Sequence, residues 1–194
     1  MSETRAANGF SFAGSLDETL DRVWRLLGRG VADRHAAERH PTLANVGLDG
    51  APQLRTVVLR SADRGAALLT VHTDNKSAKV SQLQADPRCA LHVWNGKQKL
   101  QMRIKAEAAL LTGASVADIW DRVPASSRTA YGGDPFPGSP LDDLAAYRAD
   151  VDPERFCVLA LHVQAIETLC LAPDRHYRAV YTKDNGWGGQ WLAP

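Results

Sequence analysis

The chain has 194 residues, of which 44% are hydrophobic and 23% charged, a composition typical of one globular domain with a sizeable core, here 1–194. Its 23 basic and 22 acidic residues nearly cancel, which argues against a nucleic-acid or membrane partner and confines any anion site to a local cluster. Three cysteines without CxxC spacing, a polar start and no apolar run near the roughly 18–20 residues of a membrane span predict a cytoplasmic protein with reduced core cysteines.

The first element predicted is a helix. Residues 1–14 are expected to be loosely ordered. Ser15 opens a Ser-Leu-Asp-Glu capping box, and apolar residues then recur at helical spacing over 15–28. Gly28 or Gly30 is expected to end this helix, because glycine commonly follows the last helical turn.

The apolar period then changes to two, as in β-strands. Residues 42–48 and 53–61 are predicted to form a hairpin across an Asp-Gly turn, since that dipeptide accommodates the positive φ angles of a tight turn. A strand over 66–73 and a short helix over 76–85 follow. An Asp-Pro pair stops that helix, because the residue before a proline avoids helical geometry.

The second half predicts another hairpin, three helices, one long strand or strand pair, and a closing hairpin. These elements are expected over residues 88–94 with 99–111, then 115–123, 125–131, 141–149, 156–171 and 176–182 with 187–192. Strands joined mainly by hairpins favour a mainly β fold with flanking helices, an antiparallel barrel whose closure removes exposed edges. A parallel βαβ fold is disfavoured, because no GxGxxG follows a strand.

Two arginines bracket one of the predicted strands. Arg55 and Arg60 have odd spacing and therefore face opposite sides of an ideal strand, so that the strand can meet anionic ligands at two places. Two solvated surface arginines would give the same pattern.

A second cluster lies between a strand and a helix. Thr73 and Ser77 offer hydroxyl groups, Lys76 and Lys79 offer positive charge, and the N–H groups of the helix start suit a phosphate. A polar helix entry without a ligand is the alternative.

The C-terminal segment contains the third cluster. His176, Arg178 and Trp187 are residue types that stack on or clamp a planar ligand, although tryptophans more often belong to the core. The six histidines form neither HxxxH nor HExxH, so no metal site is expected.

Taken in order, five motifs resemble the pyridoxamine 5′-phosphate oxidase family of FMN-binding split β-barrels, over roughly residues 40–194. The family motifs are an Arg-x-Val-x-Leu-Lys/Arg strand, a Tyr/His-Thr-x-x-x-Ser-x-Lys turn, Asp/Asn-Pro-Arg before a strand, a strand Gln, and an Arg-containing strand followed by Trp and Leu-Ala-Pro. Their matches here are 55–60, 72–79, 86–88, Gln101, and Arg178 with Trp187 and 192–194. The middle segment, from Trp120 to Gly138, is most similar to an uncharacterised FMN-binding branch of that family.

The resemblance implies FMN as cofactor, bound at the interface of a homodimer. It implies a cofactor site composed of Arg55, Thr56, Val57, Val58, His72, Thr73, Lys76, Ser77, Lys79, Gln101, Arg178 and Trp187. It also implies substrate contacts from Arg60, Arg128 and His176, with Arg60 and His176 as the catalytic pair.

By this resemblance the chain is expected to transfer a hydride between a small planar or amine substrate and FMN. Asp174 stands where the family has an arginine that helps to hold the pyridoxal substrate, so a vitamin B6 phosphate is expected to be a poor substrate. A flavin reductase and a non-catalytic flavin-binding or small-ligand-binding protein are the alternatives.

Overall fold

The computed structural model describes residues 15–173 and 175–194, so the expectations for residues 1–14 and for Asp174 lie outside the described residues. Four α-helices are present, α1 (Leu16–Ala32), α2 (Ala78–Ala85), α3 (Ala117–Asp121) and α4 (Ala125–Arg128). The strands are β1 (Thr42–Val46), β2 (Pro52–Thr56), β3 (Leu59–Asp63), β4 (Leu68–Asp74), β5 (Arg88–Asn95), β6 (Leu100–Thr112), β7 (Phe156–Leu171), β8 (His176–Thr182) and β9 (Gly189–Leu192).

The strands form one antiparallel sheet that wraps into a split barrel, as predicted. Its order is β2-β1-β5-β6-β7-β4-β3, and β8 and β9 branch from β7. The long strand β7 pairs with β6 along its whole length. Its other edge is shared, because its first half pairs with β4 and its second half with β8. Apolar side chains from alternate positions of these strands fill the interior, among them Leu91, Met102, Ile104, Leu159 and Ile166.

Helix α1 packs over the barrel, and its start agrees with the predicted cap. Ser15 Oγ accepts a hydrogen bond of 3.1 Å from the backbone N–H of Glu18. The predicted end was wrong, because the helix continues past Gly28 and Gly30. A Cβ atom at Gly30 would lie 2.6 Å from the backbone carbon of Glu38. The glycine therefore lets the chain at Glu38 pack closely against α1.

The predicted strand over 53–61 is two strands. The chain leaves β1 at the end of β2, and β3 then pairs with β4 at the other end of the sheet order. Between them Val57 is buried, and its N–H donates to the carbonyl oxygen of Pro41 at 3.0 Å. Arg55 and Arg60 therefore extend from different strands, which a regular alternation of residues cannot reveal.

The helix predicted over 141–149 was also wrong. Only Leu144–Ala146 forms a single 3-10 turn there, and Leu144 is 86% exposed. An isolated amphipathic segment gains helical stability mainly by packing its apolar face, and this segment has little to pack against.

The three cysteines are buried, as expected, and none is in a disulfide within the described residues. Burial raises the pKa of Cys89 to about 12 and that of Cys157 to about 11, so both are thiols at neutral pH. No helix in the ranges 15–173 and 175–194 is long and apolar enough to cross a bilayer.

Candidate cofactor and substrate site

The end of β4 and the start of α2 bring three of the predicted side chains into contact. Lys79 Nζ donates to Thr73 Oγ1 and to Ser77 Oγ, each at 2.9 Å, and the two hydroxyl oxygens lie 3.1 Å apart. Ser77 is the N-cap of α2, yet its side chain makes no cap hydrogen bond to the helix. Because the first N–H groups of a helix need acceptors, this arrangement suits an oxyanion.

Arg55 reaches the same place from β2. Its guanidinium donates from Nη1 to Asn45 Oδ1, and from Nη2 to Gln82 Oε1 at 3.2 Å. Gln82 lies one turn after Lys79 on α2 and also accepts from Asn45 Nδ2 at 3.0 Å. Two neutral amides therefore hold the guanidinium in place. Arg55, Thr73, Ser77 and Lys79 together are called the anion site below.

The anion site carries two positive charges, and the neighbouring Asp74 carboxylate is paired with Arg155 and not with either of them. Burial lowers the pKa of Lys79, the Arg55 guanidinium lowers it further, and burial lowers the pKa of Arg55 as well. In the described part of the chain, neither cation forms an ion pair. A phosphate dianion fits these residues, because it would offset the repulsion between the two cations.

A cavity of about 390 Å³ lies on the outer face of β3 and β4, where α3 covers it. It is called the Arg60 cavity below, and its lining includes Arg60, His72, Ile119, Arg122 and Val123. Arg60 Nε and His72 Nδ1 are both buried and have no hydrogen-bond partner among the residues that the structure describes. Because an unpaired buried polar atom costs free energy, the cavity suits a ligand that supplies polar partners.

The Arg60 cavity keeps its histidine neutral. Burial is the larger cause that lowers the pKa of His72 to about 4, and the positive charge of Arg60 is the second cause. The His72 ring also lies edge-on to Phe156, with 4.9 Å between ring centroids. Burial raises the pKa of the neighbouring Tyr131 phenol, although Arg60 opposes that change. At neutral pH the cavity therefore presents the Arg60 charge beside uncharged rings.

Gln101 and Arg178 lie in one row across the outer face, on either side of Leu169. Arg178 Nε donates to Glu167 Oε1 at 2.8 Å, and Arg103 binds the same carboxylate oxygen. Burial raises the pKa of Glu167, but the hydrogen bonds from the two arginines outweigh it and the net shift is downward. Arg178 therefore has a carboxylate partner within its own chain, which it shares with Arg103.

This row is distant from the anion site. Thr73 pairs with Cys157 near the start of β7, whereas Arg178 pairs with Leu169 twelve residues later. At about 3.3 Å per residue, the two positions are separated by about 40 Å along the strand. Within one chain, the predicted contacts of the phosphate and those of Gln101 and Arg178 are at opposite ends of β7.

Two of the C-terminal candidates lie apart from the anion site. Trp187 adopts a φ of 66° in the turn before β9, and its surroundings are Leu20, Trp24 and Arg64 in a cleft beside α1. His176 is exposed at the start of β8. The structure thus places Trp187 against the first helix of its own chain.

The remaining candidates have identified neighbours. Arg128 donates to the carbonyl oxygens of Trp120, Asp121 and Val123 at 3.0–3.1 Å and stacks on Trp120, which fixes the end of α3. Lys76 is exposed. Thr56, Val57 and Val58 form the crossing from β2 to β3, with the Val57 side chain in the core.

Five residues of the site were missed by the sequence patterns. Asn45 and Gln82 hold Arg55, Arg122 lines the Arg60 cavity, and Asp74 forms a buried ion pair with Arg155 beside the anion site. A signal existed only for Gln82, which follows Lys79 at helical spacing and therefore shares its face of α2. The others are brought together by contacts between segments distant in sequence.

Comparison with known proteins identifies the family of this chain. Residues 21–112 match the family model described as the pyridoxamine 5′-phosphate oxidase, FMN-binding domain. The pyridoxine/pyridoxamine 5′-phosphate oxidase of Pseudomonas paraeruginosa is 31% identical over 173 residues, covering 79% of this chain and 77% of that protein. The protein of the same name from Thermosynechococcus vestitus is 30% identical over 154 residues, but this match spans only 62% of its length and 79% of this chain.

Solved structures agree on the fold. A pyridoxamine 5′-phosphate oxidase-related, FMN-binding protein from Nostoc punctiforme superposes with a TM-score of 0.74 at 24% identity, covering 90% of this chain and 96% of that one. PhzG from Burkholderia lata, solved with tetrahydrophenazine-1-carboxylic acid, gives a TM-score of 0.72 at 21% identity, covering 95% and 96%. The chain belongs to the pyridoxamine 5′-phosphate oxidase family of FMN-binding proteins, and its cofactor is FMN.

Proposed function

We propose that this protein is an FMN-dependent oxidoreductase that holds the FMN phosphate in the anion site and a small anionic substrate in the Arg60 cavity. The observation that carries the proposal is the pair of cations, Arg55 and Lys79, held only by hydroxyl and amide groups. A cation with a carboxylate partner has its charge neutralised, whereas these two keep theirs for a ligand.

The Arg60 cavity supports a substrate site next to the cofactor. His72, which lines it, directly precedes Thr73 of the anion site, so both sites are built on neighbouring residues of β4. The two sites therefore adjoin at the end of β4. Arg60 and Arg122 would attract an anionic substrate, while neutral His72 offers a ring nitrogen for orientation.

The chemistry divides between cofactor and protein. Bound FMN would supply hydride acceptance and return at its ring. The protein binds and orients the substrate through Arg60, excludes water under α3, and keeps His72 uncharged at neutral pH. His176 and Arg128 were expected to help. We keep His176 as a substrate contact from the C-terminal side, whereas Arg128 supports the end of α3.

We also propose that the working unit is a homodimer in which the second copy brings Gln101 and Arg178 to the anion site. Their distance along β7 from Thr73 supports this arrangement. The outer face that carries them also exposes Trp94 and Leu54, at 46% and 66%. An apolar face of this kind is suited to a second copy, and an obligate dimer would bury more than roughly 2,000 Å² in total.

Light scattering of the FMN-loaded protein tests the dimer. Leu54→Glu should give a monomer with weakened FMN binding, because it puts a charge into an apolar interface. Leu144→Glu is the matched control, since Leu144 is also exposed but belongs to the 3-10 turn and not to the strands that carry Leu54 and Trp94. A wild-type monomer at micromolar concentration that still holds FMN would overturn the dimer proposal.

Oxygen consumption with pyridoxamine 5′-phosphate tests the substrate. We expect weak turnover by the wild type and a gain in Asp174→Arg, because a carboxylate repels an anionic substrate by about 1 kcal/mol or more at close range. A wild-type kcat/KM of about 10⁴ M⁻¹s⁻¹ or higher would contradict this expectation. Absence of turnover in both proteins, with FMN bound, would favour another substrate, a flavin reductase or the non-catalytic alternative.

A further inference from the structure

Asp74, which no cofactor or substrate role includes, is a buried carboxylate between the anion site and the rest of the chain. Its side chain is 3% exposed. Oδ1 accepts the Lys76 N–H at 2.7 Å and Arg155 Nε at 3.0 Å, and Oδ2 accepts the Gly132 N–H at 3.0 Å. Arg155 Nη2 lies 2.8 Å from Oδ2. One carboxylate thus joins three separate segments.

The backbone of Asp74 holds the anion site at the same time. Its carbonyl oxygen accepts Ser77 Oγ at 2.8 Å and the Ser77 N–H at 3.1 Å. The loop that presents Ser77 and Lys79 is therefore built around Asp74. A phosphate bound in the anion site would fix this loop and, with it, the direction of the Asp74 carboxylate.

The far side of the carboxylate is the segment 131–155, which follows α4. Gly132 has a φ of 119°, and a Cβ atom there would lie 2.5 Å from the backbone nitrogen of Asp152, so the backbone passes where only glycine fits. Tyr131, one residue earlier, is buried beside Arg60 and packs edge-on against Phe156 at 5.0 Å. Asn75 adds a second tie, because its N–H donates to the Arg155 carbonyl oxygen at 2.8 Å.

The charge of Asp74 is unsuited to binding phosphate itself. A carboxylate next to the anion site repels a phosphate dianion, and Arg155 is the partner that neutralises it. Its contribution is therefore positional.

We infer that Asp74 is a positioning residue that couples cofactor occupancy to the ordering of segment 131–155, in which Tyr131 lies beside Arg60. This inference rests on the proposed placement of the FMN phosphate in the anion site. The path runs from Ser77 through Asp74 to Gly132 and Tyr131, and from Tyr131 to Arg60.

Hydrogen exchange of the full chain, with and without saturating FMN, measures the coupling. In the wild type, FMN should slow exchange in peptides covering 130–155 by about fivefold or more, because local opening of a tied segment then requires breaking the link. Asp74→Asn keeps the shape of the side chain, but its amide NH₂ group is a donor and would face the Gly132 N–H, which is also a donor. FMN should then protect 130–155 less than about twofold, measured at FMN concentrations that saturate this variant.

Asp152→Asn is the matched control. Asp152 Oδ1 accepts the Glu154 N–H at 3.0 Å within the same segment and, among the described residues, forms no hydrogen bond with Asp74. This variant should raise exchange in both states while FMN still protects the segment. Equal FMN protection in Asp74→Asn and wild type would overturn the inference, and so would wild-type protein that binds FMN without any protection of 130–155.

Two outcomes separate this inference from the proposed placement of FMN. If Arg55→Ala leaves FMN affinity unchanged, the placement fails; if it weakens FMN but 130–155 is unprotected, only the coupling fails. Should Asp74→Asn not fold, Arg155→Lys keeps the charge and removes the two-nitrogen contact with Asp74. That variant should lose part of the FMN-dependent protection, and full protection would overturn the inference.

Discussion

The arginines of this protein fall into two groups that differ in their partners. Arg55 in the anion site is held by the amide oxygens of Asn45 and Gln82, whereas Arg178 on the outer face is bound to the carboxylate of Glu167. Both were expected at the cofactor. The difference shows that position in a family motif does not determine how much charge a cation can offer, because the partner can neutralise it.

The same contrast holds for the neighbouring cations. Lys79 is bonded to two hydroxyl groups and keeps its charge for a ligand, while Arg155, close by in space, is paired with Asp74. A cation held by neutral groups is poised for an anion, and one held by a carboxylate supports the fold. Four predictions test this distinction, in order of decreasing expected effect.

Arg55→Ala removes a cation that is held by neutral partners and therefore tests the distinction most directly. It should weaken FMN binding by about 2–3 kcal/mol, the usual scale for removing a charged hydrogen-bond partner. Calorimetric titration of apoprotein with FMN measures this. Arg88→Ala is the control, because this variant removes the same charge from an exposed arginine that is paired with Asp86. A change below threefold at Arg55 would break the comparison.

Lys79→Met should weaken FMN binding by about 2 kcal/mol and remove its alkaline pH dependence. Burial and Arg55 lower the pKa of Lys79 below its ordinary 10.5, so apoprotein loses this charge earlier than a free lysine does. FMN affinity of the wild type should therefore fall as pH rises toward 10.5. Fluorescence titrations from pH 7 to 10 check this, and an equal slope in Lys79→Met would contradict the assignment.

The pH dependence of folding stability tests whether His72 in the Arg60 cavity is uncharged. Its folded pKa of about 4 lies below the ordinary 6.5, so the unfolded chain binds the proton first and stability falls as pH drops from 6.5 toward 4. We expect a loss of about 1–2 kcal/mol, reduced from the full linkage value because the ring retains some exposure. Urea unfolding at pH 7 and 5 measures it, with His72→Gln expected to flatten the slope and exposed His92→Gln to leave it unchanged.

Glu167→Gln gives Arg178 a neutral partner in place of a carboxylate. With a neutral partner, Arg178 should offer more charge, and FMN should bind more tightly by about 0.5–1 kcal/mol if the second copy brings it to the anion site. Glu107→Gln, on the same outer face of β6, is the control. Weaker FMN binding in Glu167→Gln would mean that the carboxylate positions Arg178, and the comparison would need to be revised for this residue.

Much of the fold follows from local patterns. The long strand was predicted over 156–171 and is found at Phe156–Leu171, and the hairpin turns at Gly50 and Gly186 have the positive φ angles that their sequences suggest. Within the cluster at 73–79, Thr73, Ser77 and Lys79 contact one another, while its binding of a phosphate stays a prediction. These features depend on neighbours within a few residues, so the sequence specifies them directly.

The rest was determined by contacts between distant segments. Val57 divides an apparently continuous strand, because its side chain packs in the core while the chain crosses from one edge strand to the other. Glu167 neutralises Arg178 across two strands, and Asp74 meets Arg155 over 81 positions of sequence. The sequence by itself determined where cations and hydroxyls occur; only the tertiary structure decided which cations meet a carboxylate and which remain available to a ligand, since that depends on segments that come together on folding.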